Sequence, residues 1–332
     1  MRRYGIGAAV LLAWTWTCAG AAIAADAAMF KGKTITYIVA TGPGGGYDTY
    51  GRLIVRYLQK YLPGSRILVR NVPGAGHIVG ANTIYAAKPD GLTIGMFNTG
   101  LIYDQLLKRQ GVMFDLSKFS WIGKASDDTR VLLLSKASGL RDFDQVAASK
   151  TLIKLAAPGI GSAGYIETRI LQDAFRLNVR IIPGFDGNQG EMSMLRNEVA
   201  GQIGTAASLA QFVKNGNGFY ALAISETDRL PGVPKAINLV KDDKGRKMIE
   251  LVSVLSEIGR LTAGPPGIPA GTLAALREAL DKTMADPQFL ADARKLQIPI
   301  APASGATVET LIKQALAQPA ETIALLKSAA GN

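Results

Sequence analysis

Histidine and cysteine are almost missing from this 332-residue chain, which has one of each, His77 and Cys18. A Cys/His zinc site needs several such ligands and is excluded. A Ser–His–Asp arrangement would have to use His77, and no G-x-S-x-G elbow accompanies it. A lone histidine in a glycine-rich turn reads as a polar loop residue rather than a base. The acidic pairs Asp127-Asp128 and Asp242-Asp243 read as solvated surface and lack calcium-loop spacing. No catalytic residue, metal or cofactor is therefore expected, and the chain does not read as an enzyme.

Clustered charge is lacking too. Lysine and arginine number 37 against 26 acids, but they are scattered and not interleaved with aromatics. Nucleic acid is therefore not an expected partner, and a generally basic solvated surface accounts for most of the excess.

Long apolar runs are absent except at the start. Met1-Arg2-Arg3 is a short basic segment, Ile6 to Trp16 an apolar core, and Ala22-Ile23-Ala24 a small-x-small cleavage site. This is the pattern of a cleavable secretory signal, and its core is shorter than the roughly 20 residues of a membrane span. Residues 1–24 are expected to be removed and the mature protein to be periplasmic. Cys18 would leave with them, and the formal charge would fall from +11 to +9.

What is present is an alternation of β-rich and helical patterns. Thr34 to Val39 reads as a strand, and Tyr50, Leu53, Ile54, Tyr57, Leu58 and Tyr61 then recur at helical spacing until Pro63-Gly64. Ile67 to Val69 and Leu92 to Phe97 read as further strands, a rhythm that implies a parallel sheet. The texture changes over Trp121 to Arg130, and a second βα series runs from Val131 to Ile224. The expected fold is α/β with two lobes, each a mainly parallel sheet flanked by helices. The first lobe comprises 29–124 and 227–332, the second 125–226, and the final helices are expected to pack on the first. Ligands of such sheets bind beyond the carboxyl ends of strands, here in the cleft between lobes.

Two glycine-rich loops precede helices. In "VATGPGGGYDTYGRL", from Val39, a dinucleotide pattern fails because Tyr47 stands where its last glycine belongs, and no acid follows about 20 residues on. A phosphate-binding P-loop fails because no lysine occurs before Lys60. What remains is a helix N-terminus with free N–H groups at Gly44, Gly45 and Gly46, suited to a carboxylate or phosphate. Asp48 reads as a capping or loop-supporting acid. In "PGIGSAGY", Pro158 to Tyr165, the N–H groups of Gly161 to Gly164 and Ser162 are expected to face the first loop across the cleft.

Six segments, in order, resemble the substrate-binding receptors of tripartite tricarboxylate transporters, the Bug or TctC family. They are "PGGGYDTYGRL", "VRNVPGAGHIVGAN", "AKPDGLTIG", "LAAPGIGSAGY", "ALAISETDRLPGVP" and "AGPPGIPAGTLAAL". The resemblance implies a two-lobed, flytrap-type periplasmic binding protein that holds a small carboxylate or dicarboxylate and presents it to membrane subunits of the transporter. The receptor is expected to act as a monomer. Carried over by position, ligand contacts would be Gly44, Gly45, Gly46, Tyr47, Asn98 and Thr99 in the first lobe. Gly161, Ser162, Ala163, Gly164, Phe185 and Thr205 would supply the second. His77 replaces a family glycine, "PGFDGNQG" lacks the family's lysine, and "GQIGTAAS" has Thr205 near a place that often carries an acid. These departures favour a plain carboxylate over an amino acid. The same fold could instead serve as a periplasmic sensor for a signalling partner, which the sequence does not distinguish.

Overall fold

The structure, a computed structural model, describes residues 28–330. The expected signal segment, 1–24, lies outside them. The chain builds β1 (Thr34–Val39), α1 (Gly46–Leu58), β2 (Arg66–Asn71), α2 (Ile78–Tyr85), β3 (Thr93–Phe97), α3 (Gly100–Leu106) and β4 (Ser120–Lys124). It then crosses into β5 (Arg130–Ser135), α4 (Phe143–Ala147), β6 (Ile153–Ala157), α5 (Ala163–Phe175), β7 (Val179–Pro183), α6 (Gln189–Leu195), β8 (Gly201–Thr205), α7 (Ala206–Lys214) and β9 (Gly218–Ala223). After α8 (Ala236–Leu239) and α9 (Asp243–Ser256) it returns through β10 (Leu261–Gly264), α10 (Ala270–Ala285), α11 (Pro287–Lys295), β11 (Ala303–Ser304), α12 (Gly305–Leu316) and α13 (Ala320–Ala330).

The strands form two sheets, ordered β11-β4-β10-β3-β1-β2 and β7-β6-β8-β5-β9. Both are mixed. Parallel pairing is confined to β2-β1-β3 and β7-β6-β8, where helices make the crossovers. The strands nearest the crossings, β4 with β10 and β5 with β8 and β9, pair antiparallel. Such strands bring the chain into a lobe or out of it and need no βα crossover, so the local rhythm that implies parallel pairing does not govern them.

Packing follows the helical and strand periods. In α1, Tyr47, Tyr50, Leu53, Ile54, Tyr57 and Leu58 are buried at i, i+3 and i+4 spacing, while Arg52 and Arg56 face outward. Every residue of β4 and β5 is buried, so neither strand alternates. Trp121 on β4 packs with Phe97 and Phe119 at ring-centroid distances of 5.9 and 5.6 Å, a cluster whose truncation at any ring would cost about 3–5 kcal/mol. Tyr37 on β1 hydrogen-bonds Thr262 on β10 at 2.7 Å, tying the returning strand into the first sheet. Helix α12 covers β4, whereas α9 and α13 lie against α5 beside the second sheet, although α13 follows the return through β10. Of the last two helices, α12 thus packs on the first sheet and α13 beside the second. A helix at the chain end carries no local signal of which apolar face it covers.

Candidate functional site

The loops after β1, β3, β6, β7 and β8 converge between the sheets, as the carboxyl-end rule anticipates. They enclose a cavity of about 90 Å³ with residues of both lobes in its wall. From the first lobe come Gly45, Gly46, Tyr47, His77 and Asn98; from the second come Ser162, Ala163, Gly164, Phe185, Thr205 and Ser208. The lobes touch. Gly42 N donates to Asp186 Oδ2 at 3.1 Å, and a Cβ placed on Gly45 would lie 3.0 Å from Gly187 Cα.

The two glycine-rich loops line the same cavity from opposite lobes, and each also packs against other segments of the facing lobe. The first loop, Gly42 to Gly46, meets the Asp186–Asn188 turn and Ser208, while the second meets Gly76 and Gly100. A Cβ on Gly76 would sit 3.1 Å from Ser162 Cα, and one on Gly100 would sit 2.7 Å from Ala163 N. Each loop thus packs between two segments of the other lobe.

Helix α1 begins at this cavity without a side-chain cap. Its first N–H groups have no intrahelical acceptor and carry the positive end of the helix dipole. Asp48 holds the approach to them: its Oδ2 accepts from Gly44 N at 3.0 Å and from Arg52 Nε at 2.9 Å, and its Oδ1 accepts from Asn71 Nδ2 at 2.9 Å. Those bonds hold its carboxyl below the ordinary range despite partial burial. Asp48 therefore shapes the loop from behind. In the second lobe, Ser162 caps α5: its Oγ accepts from Tyr165 N at 3.3 Å and donates to Gly159 O at 2.7 Å.

Behind the cavity lies a chain of buried charge. Arg260, fully buried, sits over Tyr47 at 4.0 Å and Tyr50 at 4.4 Å, and its Nε lies 2.9 Å from Asp128 Oδ1. Its Nη2 donates to Thr205 and Ser208 hydroxyls at 2.7 and 2.8 Å. One guanidinium thus contacts the first lobe, the first crossing and the second lobe together. Tyr47 completes the set, donating its hydroxyl to Asp128 at 2.5 Å. Arg130, which reaches the cavity wall, is neutralised by Glu167, with Nε to Oε2 at 2.7 Å. His77 Nδ1 accepts from Asn98 N at 3.2 Å, and burial pushes its pKa down to about 4, so the ring is neutral with its proton on Nε2.

Residues 52–326 match the family model described as the tripartite tricarboxylate transporter family receptor. The chain belongs to this family. A relative encoded in the tcbD–tcbE intergenic region of Pseudomonas sp. (strain P51) is 27% identical over 290 residues, covering 86% of this chain and 83% of its own. Among solved structures, the periplasmic binding protein BugD superposes with a TM-score of 0.74 at 22% identity, covering 90% of this chain and 98% of BugD. MatC from Rhodopseudomonas palustris, solved with bound malate, gives 0.72 at 19% identity, covering 89% and 99%. These likenesses give the fold, that of a periplasmic binding protein, and the family is one of solute-binding receptors rather than enzymes. Among the described residues, no helix is long and apolar enough to cross a membrane, and no group of three or more His, Cys, Asp or Glu could hold a metal.

Most of the residues expected to contact ligand line the receptor's cavity, but Gly44, Thr99 and Gly161 do not. Gly44 spends its N–H on Asp48; Thr99 is the residue preceding α3; and Gly161, at φ +82°, is covered by the guanidinium of Arg109 reaching from the first lobe. His77, read as a polar loop residue, is instead 5% exposed and part of the cavity wall. Arg130 and Glu191 also line the wall without any local sequence signal, whereas Asp186 lies inside "PGFDGNQG" and Gln202 and Ser208 inside "GQIGTAAS". Two acids, Asp186 and Glu191, line the cavity. Position Thr205 carries none, but the neighbouring loop and helix supply them.

Proposed function

We propose that this receptor captures a small organic carboxylate between its lobes in the periplasm and delivers it to the membrane subunits of a tripartite tricarboxylate transporter. The observation that supports it most is the uncapped N-terminus of α1 opening on a cavity walled by both lobes. Backbone N–H groups at a helix start bind a carboxylate through charge-assisted bonds without needing a free arginine. The cavity is small, which suits a metabolite of a few carbons. The malate seated in MatC is a ligand of this chemical kind.

A ligand that bridges both lobes binds the closed form in preference to the open one, and that difference drives closure. Thermal unfolding with a panel of mono-, di- and tricarboxylates tests the reading. A ligand at 100 times its Kd adds about 2.7 kcal/mol, a rise of roughly 4 °C in a protein of this size. Calorimetry then gives the affinity, and uptake by a strain lacking the gene tests delivery. A flat response across the whole panel refutes the proposal.

A further inference from the structure

One acid in the cavity has no place in the carboxylate reading. Glu191 on α6 lines the wall, and its Oε2 is buried without a hydrogen-bond partner. Burial raises its carboxyl pKa, opposed by its own backbone N–H and the nearby Gln202 side chain. Gln202 is itself wedged in place, its Oε1 occupying the space that a Cβ on Gly190 would take. A buried acceptor without a donor is unfavourable until something brings one, and an ionised acceptor more so.

The neighbouring charges do not supply that donor. Arg130 is spent on Glu167, and His77 is neutral with Nδ1 occupied by Asn98 N. The other acid of the wall, Asp186, has Oδ2 on Gly42 N and Oδ1 on Gly187 N, so its oxygens are already engaged. The cavity therefore has unpaired N–H groups at the start of α1 and, buried in its wall, an unpaired carboxylate oxygen on Glu191. A dicarboxylate satisfies the first and brings a second negative charge toward the other. A ligand with a carboxylate at one end and an N–H group at the other satisfies both.

We propose that Glu191 is the specificity-determining acceptor of this cavity, selecting ligands that pair a carboxylate with an N–H donor, either ammonium or amide. The proposal rests on the receptor reading above and narrows its ligand class. A protonated Glu191 would donate to a second carboxylate and produce the opposite preference, so the two states are separable by experiment.

In calorimetry, each carboxylate of the panel that binds is compared with its ω-amino and monoamide counterparts of matched length. The proteins are the wild type, Glu191→Gln and Glu191→Ala, with circular dichroism and thermal unfolding checking that all three are folded. The wild type is expected to favour the N–H-bearing member by tenfold or more. Glu191→Ala should erase that preference, and Glu191→Gln, which adds a donor, should shift it toward the dicarboxylate. A wild type that favours the dicarboxylate, or a selectivity that is the same in all three proteins, overturns the assignment of Glu191 alone. A wild type that binds no carboxylate of the panel overturns the receptor reading and this proposal with it.

Discussion

Three glycines of the first loop are predicted to respond differently to the same methyl group. On Gly42 a Cβ would rest 3.7 Å from Asp186 Cγ, an ordinary contact. On Gly45 it would lie 3.0–3.1 Å from the backbone of Gly187, close enough that the turn must give by a few tenths of an ångström. On Gly46 it would overlap the Ser208 hydroxyl and sit 2.5 Å from Ser208 Cβ and 2.8 Å from its Cα. Ser208 belongs to the opposite lobe, so the clash falls on closure. Overpacking of this kind costs about 1–3 kcal/mol, which at 1.4 kcal/mol per decade weakens ligand binding by roughly 5- to 150-fold. Gly46 is also the first residue of α1, where alanine gains up to about 1 kcal/mol of helix stability. Gly46→Ala should therefore bind far more weakly while melting no lower than the wild type. Gly45→Ala should fall between, and Gly42→Ala should bind normally. All three keep their N–H groups, so the series isolates lobe contact from anion contact. Calorimetry beside thermal unfolding reads both quantities. Equal affinities across the series, or a Gly42→Ala defect larger than that of Gly46→Ala, would refute the idea that ligand is held in the closed arrangement described above.

Three further outcomes follow from the buried charges. Arg260→Met leaves Asp128 buried without its cation and should cost about 3–5 kcal/mol in chemical denaturation, with Asp128→Asn in the same chain recovering part of the loss. Arg260→Lys should fold better than Arg260→Met yet bind ligand less tightly than wild type, because a single ammonium does not hold Asp128, Thr205 and Ser208 together; equal affinity would deny the guanidinium a role in closure. His77 is neutral in the folded protein, with its pKa pushed from 6.5 to about 4, so the unfolded chain binds the extra proton between those values. Stability is therefore full above pH 6.5 and declines as pH falls toward 4, by about 3 kcal/mol at most. His77→Asn, which tolerates the positive φ of 86° at this position, should remove that part of the pH profile in urea titrations; parallel wild-type and variant profiles would mean that the imidazole titrates normally.

The parts of this receptor that were legible in its sequence are those whose cause is local. Gly44 to Gly46 followed by tyrosines and leucines at helical spacing announce an uncapped helix start, and that is where α1 begins. Asp48 four residues after Gly44 could be read as a loop support because the bond it makes closes within one turn. Strand β4 gave no such signal, since all of Ser120 to Lys124 is buried and a strand covered on both faces does not alternate. The antiparallel pairing at the crossings was hidden for a related reason: it depends on which lobe the chain is entering, and no window of sequence contains that.

The candidate site divides along the same line. Backbone donors are encoded by glycine and by helix starts, so the anion end of the cavity could be placed from the sequence. Side chains that complete the wall arrive from distant segments. Arg260 sits in an unremarkable Gly-Arg-Leu and becomes the link between the lobes only because Tyr47, Asp128, Thr205 and Ser208 meet around it. Glu191, in Gln-Gly-Glu-Met, resembles any polar residue of a short helix until burial leaves its Oε2 without a donor. Reading the ligand from the glycine loops alone captures what all members of such a family can share, a carboxylate held by N–H groups. What distinguishes one ligand from another must come from the non-local wall, and in this cavity that wall carries two acids, Asp186 and Glu191.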